Sequence, residues 1–423
     1  MISGLAIFML GSCTEESPEP ETFQEFPEEK NEEVPEGELT YDDVFSRYTE
    51  IKLPQNYSEV LSASNRFALG LFSDFMEDEG YRGGVISPFN MFVNLSMLAN
   101  GDSGECRDEI LDYLGVKSLK TLNSYNDFML LTLPNLDKAT RMKFASSIWH
   151  DPGLALSQDF MNSVSDIYGT EDMAISPKGY DGMDAINRWV SGNTGGIVNG
   201  FLSYPYDTDC ASVAATWFAG LWDPNCVFPP EDTREMPFHN LDGSLGKVDM
   251  MYVERTIFGI YESDGMISVK QIIGGGNFAM RFIMPSEGVD FRQMVRTLTP
   301  EKFERLYSEP RIVELTLDLP KFEVETNRDM VPVLRKNGLE RVFNEGFDGI
   351  CEGKSFPFSN YRQGIKLKID EEGVEAAAID YETLYGAAWG PEKVHVTFDR
   401  PFIFLIQEES TGAILFMGAK TSF

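Results

Sequence analysis

The chain has 423 residues, 42 % hydrophobic and 12 % aromatic, enough to bury a large core and to exclude disorder through most of its length. It carries 68 acids against 35 bases, a formal net charge of −33. Such a surface repels phosphate backbones and anionic lipid heads, which disfavours nucleic-acid binding and electrostatic docking on a membrane. The three histidines, His150, His239 and His395, stand far apart with no metal-ligand or Cys/His spacing, so neither a zinc enzyme nor a histidine-based triad is expected.

The chain opens on an apolar run, Ile2 to Leu10, too short to span a bilayer. It ends in Leu10-Gly11-Ser12-Cys13, which resembles the lipobox of bacterial lipoproteins, although no Lys or Arg precedes the run. The resemblance implies a lipoprotein-type signal over residues 1–13, with Cys13 the lipidated residue. From Thr14 to Glu38 there are eleven Glu, one Lys and four Pro, a composition that cannot bury enough surface to fold. Residues 14–42 are therefore read as an acidic spacer, and the stretch is similar to the export signals of surface lipoproteins. The expected location is the bacterial outer membrane or cell surface through a lipid anchor, with the periplasm as the alternative. Residues 1–42 carry twelve acids and one base, so a net −22 remains on the rest. The acidity belongs to the folded part as well.

Helical spacing appears at Val60, Phe67, Leu71 and Phe75, in Phe92–Ala99 after Ser87-Pro88, in Cys106–Leu114 closed by Gly115, and in Met183–Val190. Strands dominate later, at Ser212–Leu221, Phe258–Glu262 and Ile267–Ile272, turning at Gly274-Gly275-Gly276 into Phe278–Met284. Ile312–Leu319, Ile365–Ile369, Val394–Phe398, Phe402–Gln407 and Ile414–Ala419 follow. Early helices and late strands without βαβ alternation predict an α+β fold. No linker divides residues 43–423, which are read as one domain.

Apart from Cys13, the cysteines are Cys106, Cys210, Cys226 and Cys351, an even set that invites disulfides in an exported chain. Cys210 and Cys226 flank a predicted strand whose ten residues reach roughly 33 Å, far beyond the ~7 Å between bridged Cα atoms. That pair does not bridge; the other pairings stay open.

Three motifs are decoys. Gly101-Asp102-Ser103-Gly104 resembles the nucleophile segment of trypsin-like proteases, but its following Gly-Pro and a preceding histidine are missing. Gly274–Gly276 has no following Lys-Ser/Thr and reads as a hairpin turn rather than a phosphate cradle. Asp370-Glu371-Glu372 has no ligands at alternate positions and is not a calcium loop. Nothing here makes an enzyme, and no cofactor is implied.

The informative segment is Ile369-Asp370-Glu371-Glu372-Gly373-Val374-Glu375-Ala376-Ala377-Ala378, followed by an open stretch and Phe398-Asp399-Arg400-Pro401-Phe402-Ile403-Phe404. Loops favour polar turn residues, whereas alanines after a glycine suit an extended chain that must slide between strands. The segment resembles the hinge of a serpin reactive-centre loop. Further serpin-like landmarks follow in the family's order: Asn65-Arg66-Phe67-Ala68, Ile86-Ser87-Pro88, Ile186-Asn187-Arg188-Trp189-Val190 with Thr194-Gly195-Gly196-Ile197, and Phe218-Ala219-Gly220-Leu221-Trp222. Pro237-Phe238 with Val248-Asp249-Met250-Met251, Leu319-Pro320-Lys321-Phe322 and Phe416-Met417-Gly418 complete the set.

The resemblance implies the serpin fold, three β-sheets ringed by eight or nine helices, with an exposed loop over about residues 373–396. It also implies an irreversible trap. A protease cleaves the loop, and the freed segment from Gly373 inserts into the main sheet before the acyl-enzyme hydrolyses. Glu371, Glu372, Gly373, Val374, Glu375, Ala376, Ala377 and Ala378 then form the hinge. Counting on from Gly373 as the family does gives Ala387–Ala388 as the reactive bond, preceded by Leu384, Tyr385 and Gly386 in the subsites. Small and apolar residues there point to elastase-like or subtilisin-like targets, and to papain-like ones. Trp222 falls at the top of the insertion site, and Ser87, Asn90, Ala214 and Gln363 fall at the gate beneath it. Gln363 stands where the family has a histidine, and its amide both donates and accepts.

Two departures bear on function. Alternation puts Val374, Ala376, Ala378, Asp380, Glu382 and Leu384 on one face, so two carboxylates face the core on insertion, at a cost on the order of several kcal/mol each. The alternative reading is therefore a non-inhibitory serpin, a surface binding or structural module whose loop is only cleaved. The segment Glu105–Leu114, on the helix other serpins use for glycosaminoglycans, carries four acids against Arg107, so heparin is not an expected partner. A monomer is expected.

Overall fold

The computed structural model describes residues 48–102, 104–357, 361–374 and 392–423. α1 (Ser58–Asp78) buries Val60, Phe67, Leu71 and Phe75, the stripe predicted from their spacing. α2 (Pro88–Leu98) starts on Ser87, whose Oγ accepts the Asn90 N–H, and all eleven of its residues are buried. A helix buried on every side belongs inside, and this one packs against α1. α3 (Glu105–Leu114) stops at Gly115, whose φ of 69° suits glycine at a helix C-terminus. α4 (Leu119–Thr132), α5 (Gln158–Tyr168) and α6 (Gly179–Asn193) complete the longer helices. Four short ones follow: α7 (Phe291–Arg296), α8 (Pro300–Leu306), α9 (Val331–Lys336) and α10 (Arg341–Asn344). The ten helices among the described residues exceed the eight or nine expected because the count includes the single turn of α10.

The strands are, in order, β1 (Gly84–Ile86), β2 (Thr140–His150), β3 (Glu171–Met173), β4 (Cys210–Leu221), β5 (Arg234–His239) and β6 (Leu245–Ser263). Next come β7 (Met266–Ile273), β8 (Phe278–Pro285), β9 (Arg311–Pro320), β10 (Phe322–Asp329), β11 (Phe347–Cys351) and β12 (Lys354–Phe356). The last are β13 (Arg362–Ile369), β14 (Gly373–Val374), β15 (Lys393–Thr397), β16 (Phe402–Glu408) and β17 (Ile414–Lys420). They form three sheets among the described residues. The six-stranded sheet runs β10-β13-β14-β4-β2-β3. A nine-stranded one runs β1-β17-β16-β8-β7-β6-β9-β15, with β5 on β6, and β11-β12 is a hairpin.

Every residue of β8 and β16 is buried, so those strands are mainly apolar and lie inside the large sheet, with Arg281 of β8 donating to Gln407 of β16 at 2.7 Å. The main core joins them to α1, α2 and the inner face of the six-stranded sheet. A second, smaller cluster of Trp149, Ile186, Trp189, Val190 and Phe201 fixes α6 on the outer face of β2 and β4. β2, β10, α4 and α5 were not predicted. β10 alternates Phe322, Val324 and Thr326 with Glu323, Glu325 and Asn327, so half its residues carry polar groups to the surface.

Candidate functional site: the head of the six-stranded sheet

The site is built where β13 ends and β4 ends. After Ile369 the chain turns back, the Asp370 N–H donating to the Gly373 carbonyl at 3.1 Å and the Glu372 N–H to Asp370 Oδ1 at 3.1 Å. β14 then enters the sheet between β13 and β4, with Val374 opposite both Ile369 and Gly220, and Gly373 opposite Leu221. Only glycine fits at 373, because a Cβ there would lie 2.2 Å from the Gly220 carbonyl oxygen. Gly220 is equally confined: its Cβ would meet Ile273 Cγ2 at 2.5 Å. Two glycines far apart in sequence thus create the slot, and Val374 fills it with no exposed surface.

Trp222 clamps the turn. It is fully buried; its Nε1–H donates to the Asp370 carbonyl at 2.9 Å and its backbone N–H to the Glu372 carbonyl at 2.7 Å. The Phe228 N–H takes the Glu371 carbonyl at 3.1 Å. Glu371 is itself buried and meets Lys321 Nζ at 2.8 Å and the Thr233 hydroxyl at 2.8 Å. Burial alone would raise its carboxyl pKa, but the Lys321 ammonium and the hydroxyl outweigh that and hold it below the ordinary value. Asp370 binds Lys368 Nζ at 2.9 Å through its other oxygen, so its carboxylate is committed to the turn.

Beneath this head, α2 meets the two central strands. Ser87 is fully buried; its Oγ donates to the Leu415 carbonyl at 2.9 Å. The Gln363 side chain accepts the Ser87 N–H at 3.2 Å and donates to the Ser87 carbonyl at 3.1 Å. The structure therefore brings Ser87, Asn90 and Gln363 together, Asn90 through its backbone N–H. Ala214 lies on β4 opposite Ser146. The asparagine that reaches the sheet is Asn94, one turn further along α2, which sequence reasoning missed. Its Oδ1 accepts the Ser212 hydroxyl at 3.3 Å, and its side chain bonds Tyr361, just ahead of β13. The i, i+4 step from Asn90 was the available signal.

Along their length β4 pairs with β2, and β13 with β10. Among the described residues β4 and β13 share no ladder of their own, and the strand that pairs with both is β14. The chain returns at Glu392, ion-paired with Arg311 at 2.9 Å, into β15, which runs parallel to β9. There buried Asp318 takes His395 at 2.5 Å, Arg234 at 2.7 Å and Thr397 at 3.0 Å, a cluster with no sequence signal. Glu375, Ala376, Ala377, Ala378, Asp380, Glu382, Leu384, Tyr385, Gly386, Ala387 and Ala388 lie outside the described residues, as do Cys13 and Ser103. The Gly274–Gly276 turn joins β7 to β8, and its Gly275 N–H is already taken by Asp137 Oδ2 at 2.8 Å.

A pair of strands held apart at one end by the first two residues of a returning loop is the geometry the sequence landmarks imply. The Serpin (serine protease inhibitor) family matches residues 62–422. The chain is a serpin. Its relatives include Iripin-2 of Ixodes ricinus, 25 % identical over 86 % of this chain and 94 % of that one. Leukocyte elastase inhibitor of Equus caballus is 26 % identical over 86 % and 99 %. Among solved structures, the thermophilic serpin tengpin in its native state superposes with a TM-score of 0.77 at 23 % identity, covering 89 % of this chain and 97 % of that one. Human thyroxine-binding globulin gives 0.79 at 22 %, covering 87 % and 100 %. The fold is the serpin fold, α+β as expected, and the family consists mainly of protease inhibitors rather than enzymes. One detail of the resemblance needs adjusting. The loop was expected wholly outside the sheet, whereas in this serpin Gly373 and Val374 are already strand residues within it.

Proposed function

We propose that this serpin is an irreversible suicide-substrate inhibitor of serine proteases, and that it also traps papain-like enzymes. The observation that carries the reading is β14. The strand that must propagate is already started, in register, between β4 and β13, and Ala376-Ala377-Ala378, which follow after Glu375, are small enough to continue it. Each added residue pairs backbone donors and acceptors along both facing strands. The protein supplies no catalytic group: the target's own nucleophile forms the acyl-enzyme, and insertion competes with its hydrolysis.

The bond offered is Ala387–Ala388. A methyl group fits the small primary pocket of elastase-like enzymes and leaves the buried acid of a trypsin-like pocket unpaired. Leu384 and Tyr385 add contacts in the outer subsites that subtilisin-like enzymes use. One relative, the leukocyte elastase inhibitor, is named for such a target. We further place the protein on a bacterial surface as a monomer, held by a lipid on Cys13 and spaced off by residues 14–42.

The test is incubation with pancreatic elastase, subtilisin and trypsin. A complex with elastase or subtilisin that survives boiling in detergent is expected, releasing a C-terminal fragment that begins at Ala388. A fragment starting after Arg or Lys refutes the bond assignment. Cleaved serpin without any complex favours the second reading, a binding module, for which Asp380 and Glu382 on the inserting face are the specific reason.

A further inference from the structure

The cysteine pairings left open by the sequence resolve into one close pair. Cys210 opens β4, opposite His150 at the end of β2, where the Asp151 N–H bonds the Asp209 carbonyl at 2.9 Å. Cys351 closes β11 and faces Leu156 across an isolated antiparallel bridge. The Glu352 N–H donates to the Ala155 carbonyl at 3.0 Å, and the Ser157 N–H to the Ile350 carbonyl at 2.9 Å. Both cysteines thus border the same short segment, residues 151–157, from its two sides. Their thiols hydrogen-bond each other. The remaining two are engaged elsewhere: Cys106 donates to the Gly346 carbonyl at 3.2 Å, and Cys226 accepts the Ile272 N–H at 3.4 Å.

We propose that Cys210 and Cys351 form a disulfide, a redox-sensitive staple that fastens the foot of β4 to the hairpin ahead of β13. The oxidant is a disulfide of the kind carried by thiol oxidases or oxidised glutathione. One cysteine of the pair attacks it as thiolate, forming a mixed disulfide and releasing one thiol. The other then attacks the protein sulfur of that mixed disulfide and releases the second. The two protein thiols lose two electrons and two protons; the oxidant gains both. The pair is arranged for this. The Cys210 hydrogen bond and the Lys354 ammonium across the hairpin lower the Cys351 pKa against the effect of burial, which favours the attacking thiolate. The staple lies at the opposite end of β4 from β14, and it closes a loop of roughly 140 residues, long enough to restrict the unfolded chain strongly.

The experiment uses the full chain with Cys13→Ser, treated with oxidised glutathione under native conditions and mapped after alkylation. One intramolecular cross-link between the peptides carrying Cys210 and Cys351 is expected, two hydrogens lighter than the reduced pair. It persists in Cys106→Ser and disappears in Cys210→Ser and Cys351→Ser. Oxidation raises the melting temperature by several degrees in the parent and in neither of the last two variants. Full alkylation of both cysteines after oxidation overturns the proposal, as does a cross-link through Cys106 or Cys226. The parent's map decides the matter even where a serine variant folds poorly.

Discussion

Gln363 satisfies both backbone groups of Ser87 with one side chain, and that double bond is buried at the junction of α2, β13 and β17. Removing the amide leaves the buried Ser87 N–H unpartnered, at a cost of about 1–3 kcal/mol, while the Ser87 carbonyl keeps the Met91 N–H at 3.1 Å. Gln363→Leu should therefore lower the unfolding free energy by about 1–3 kcal/mol in urea titration, while Gln363→His, which offers one neutral nitrogen of each kind in a different geometry, should fall between. A loss too small to measure in Gln363→Leu would show that the junction does not depend on the amide. Glu371 gives a prediction in pH. Its folded pKa lies below the ordinary glutamate value because Lys321 and Thr233 outweigh its burial. The stability it contributes is complete above the unfolded pKa and is lost as pH falls through the folded one. Melting temperatures recorded from pH 7 downward should drop more steeply in the parent than in Glu371→Gln, and the two curves should converge in acid. Parallel curves would mean that the carboxylate adds nothing there.

At the scale of the element, β14 depends on its neighbours' lack of side chains. A methyl at 373 would sit 2.2 Å from the Gly220 oxygen, so Gly373→Ala cannot keep the slot. The variant should fold, lose β14 from the sheet and become sensitive to proteases just after Ile369, where the parent resists; equal resistance would contradict the strand's seating. Further along, Ala376→Arg places a charge where insertion must pass. It should turn the inhibitor into a substrate without unfolding it, and an unchanged inhibition stoichiometry would sink the insertion mechanism. The elements differ in how plainly the sequence announces them. α1, α3 with its Gly115 stop, and the apolar runs of β8 and β16 follow from periodicity, because burial on one face or both imposes the pattern directly. The start of β2 and the whole of β10 were hidden by Arg141, Lys143, Glu323 and Glu325, which alternate with the buried Thr140, Met142, Phe322 and Val324. The hinge stood out as a local composition, glycine then alanines. That β14 is already seated did not, since it rests on Gly220 meeting Gly373, a contact between residues far apart in sequence. The pairing of Asn94 with Ser212 and Tyr361 was hidden for the same reason, although its i, i+4 spacing from Asn90 was not.

For the whole molecule, the loop's two ends stand on different sheets. Val374 is fixed in the six-stranded sheet, and the chain beyond Glu392 forms β15 on the nine-stranded one. In the intact chain β4 and β13 share no ladder of their own among the described residues, and Val374 of β14 pairs with both. Cutting at Ala387–Ala388 frees thirteen residues beyond Val374, enough to extend β14 along the whole of β4. Each pair of backbone groups so formed contributes on the order of 1 kcal/mol, and Ala376 and Ala378 add buried apolar surface. Against this stand Asp380 and Glu382, whose burial costs several kcal/mol each without partners. If the backbone term wins, protein nicked by a catalytic amount of elastase should melt tens of degrees above the intact form at neutral pH. Because a buried carboxyl has a raised folded pKa, protonation relieves its penalty, and the gain on nicking should grow as pH falls toward the pKa of the inserted acids. Asp380→Asn with Glu382→Gln should enlarge the gain at pH 7 and remove its pH dependence. Identical melting curves for nicked and intact protein, in the parent and in the double variant alike, would mean that cleavage releases no stored energy, and the chain would then belong with the non-inhibitory members of its family.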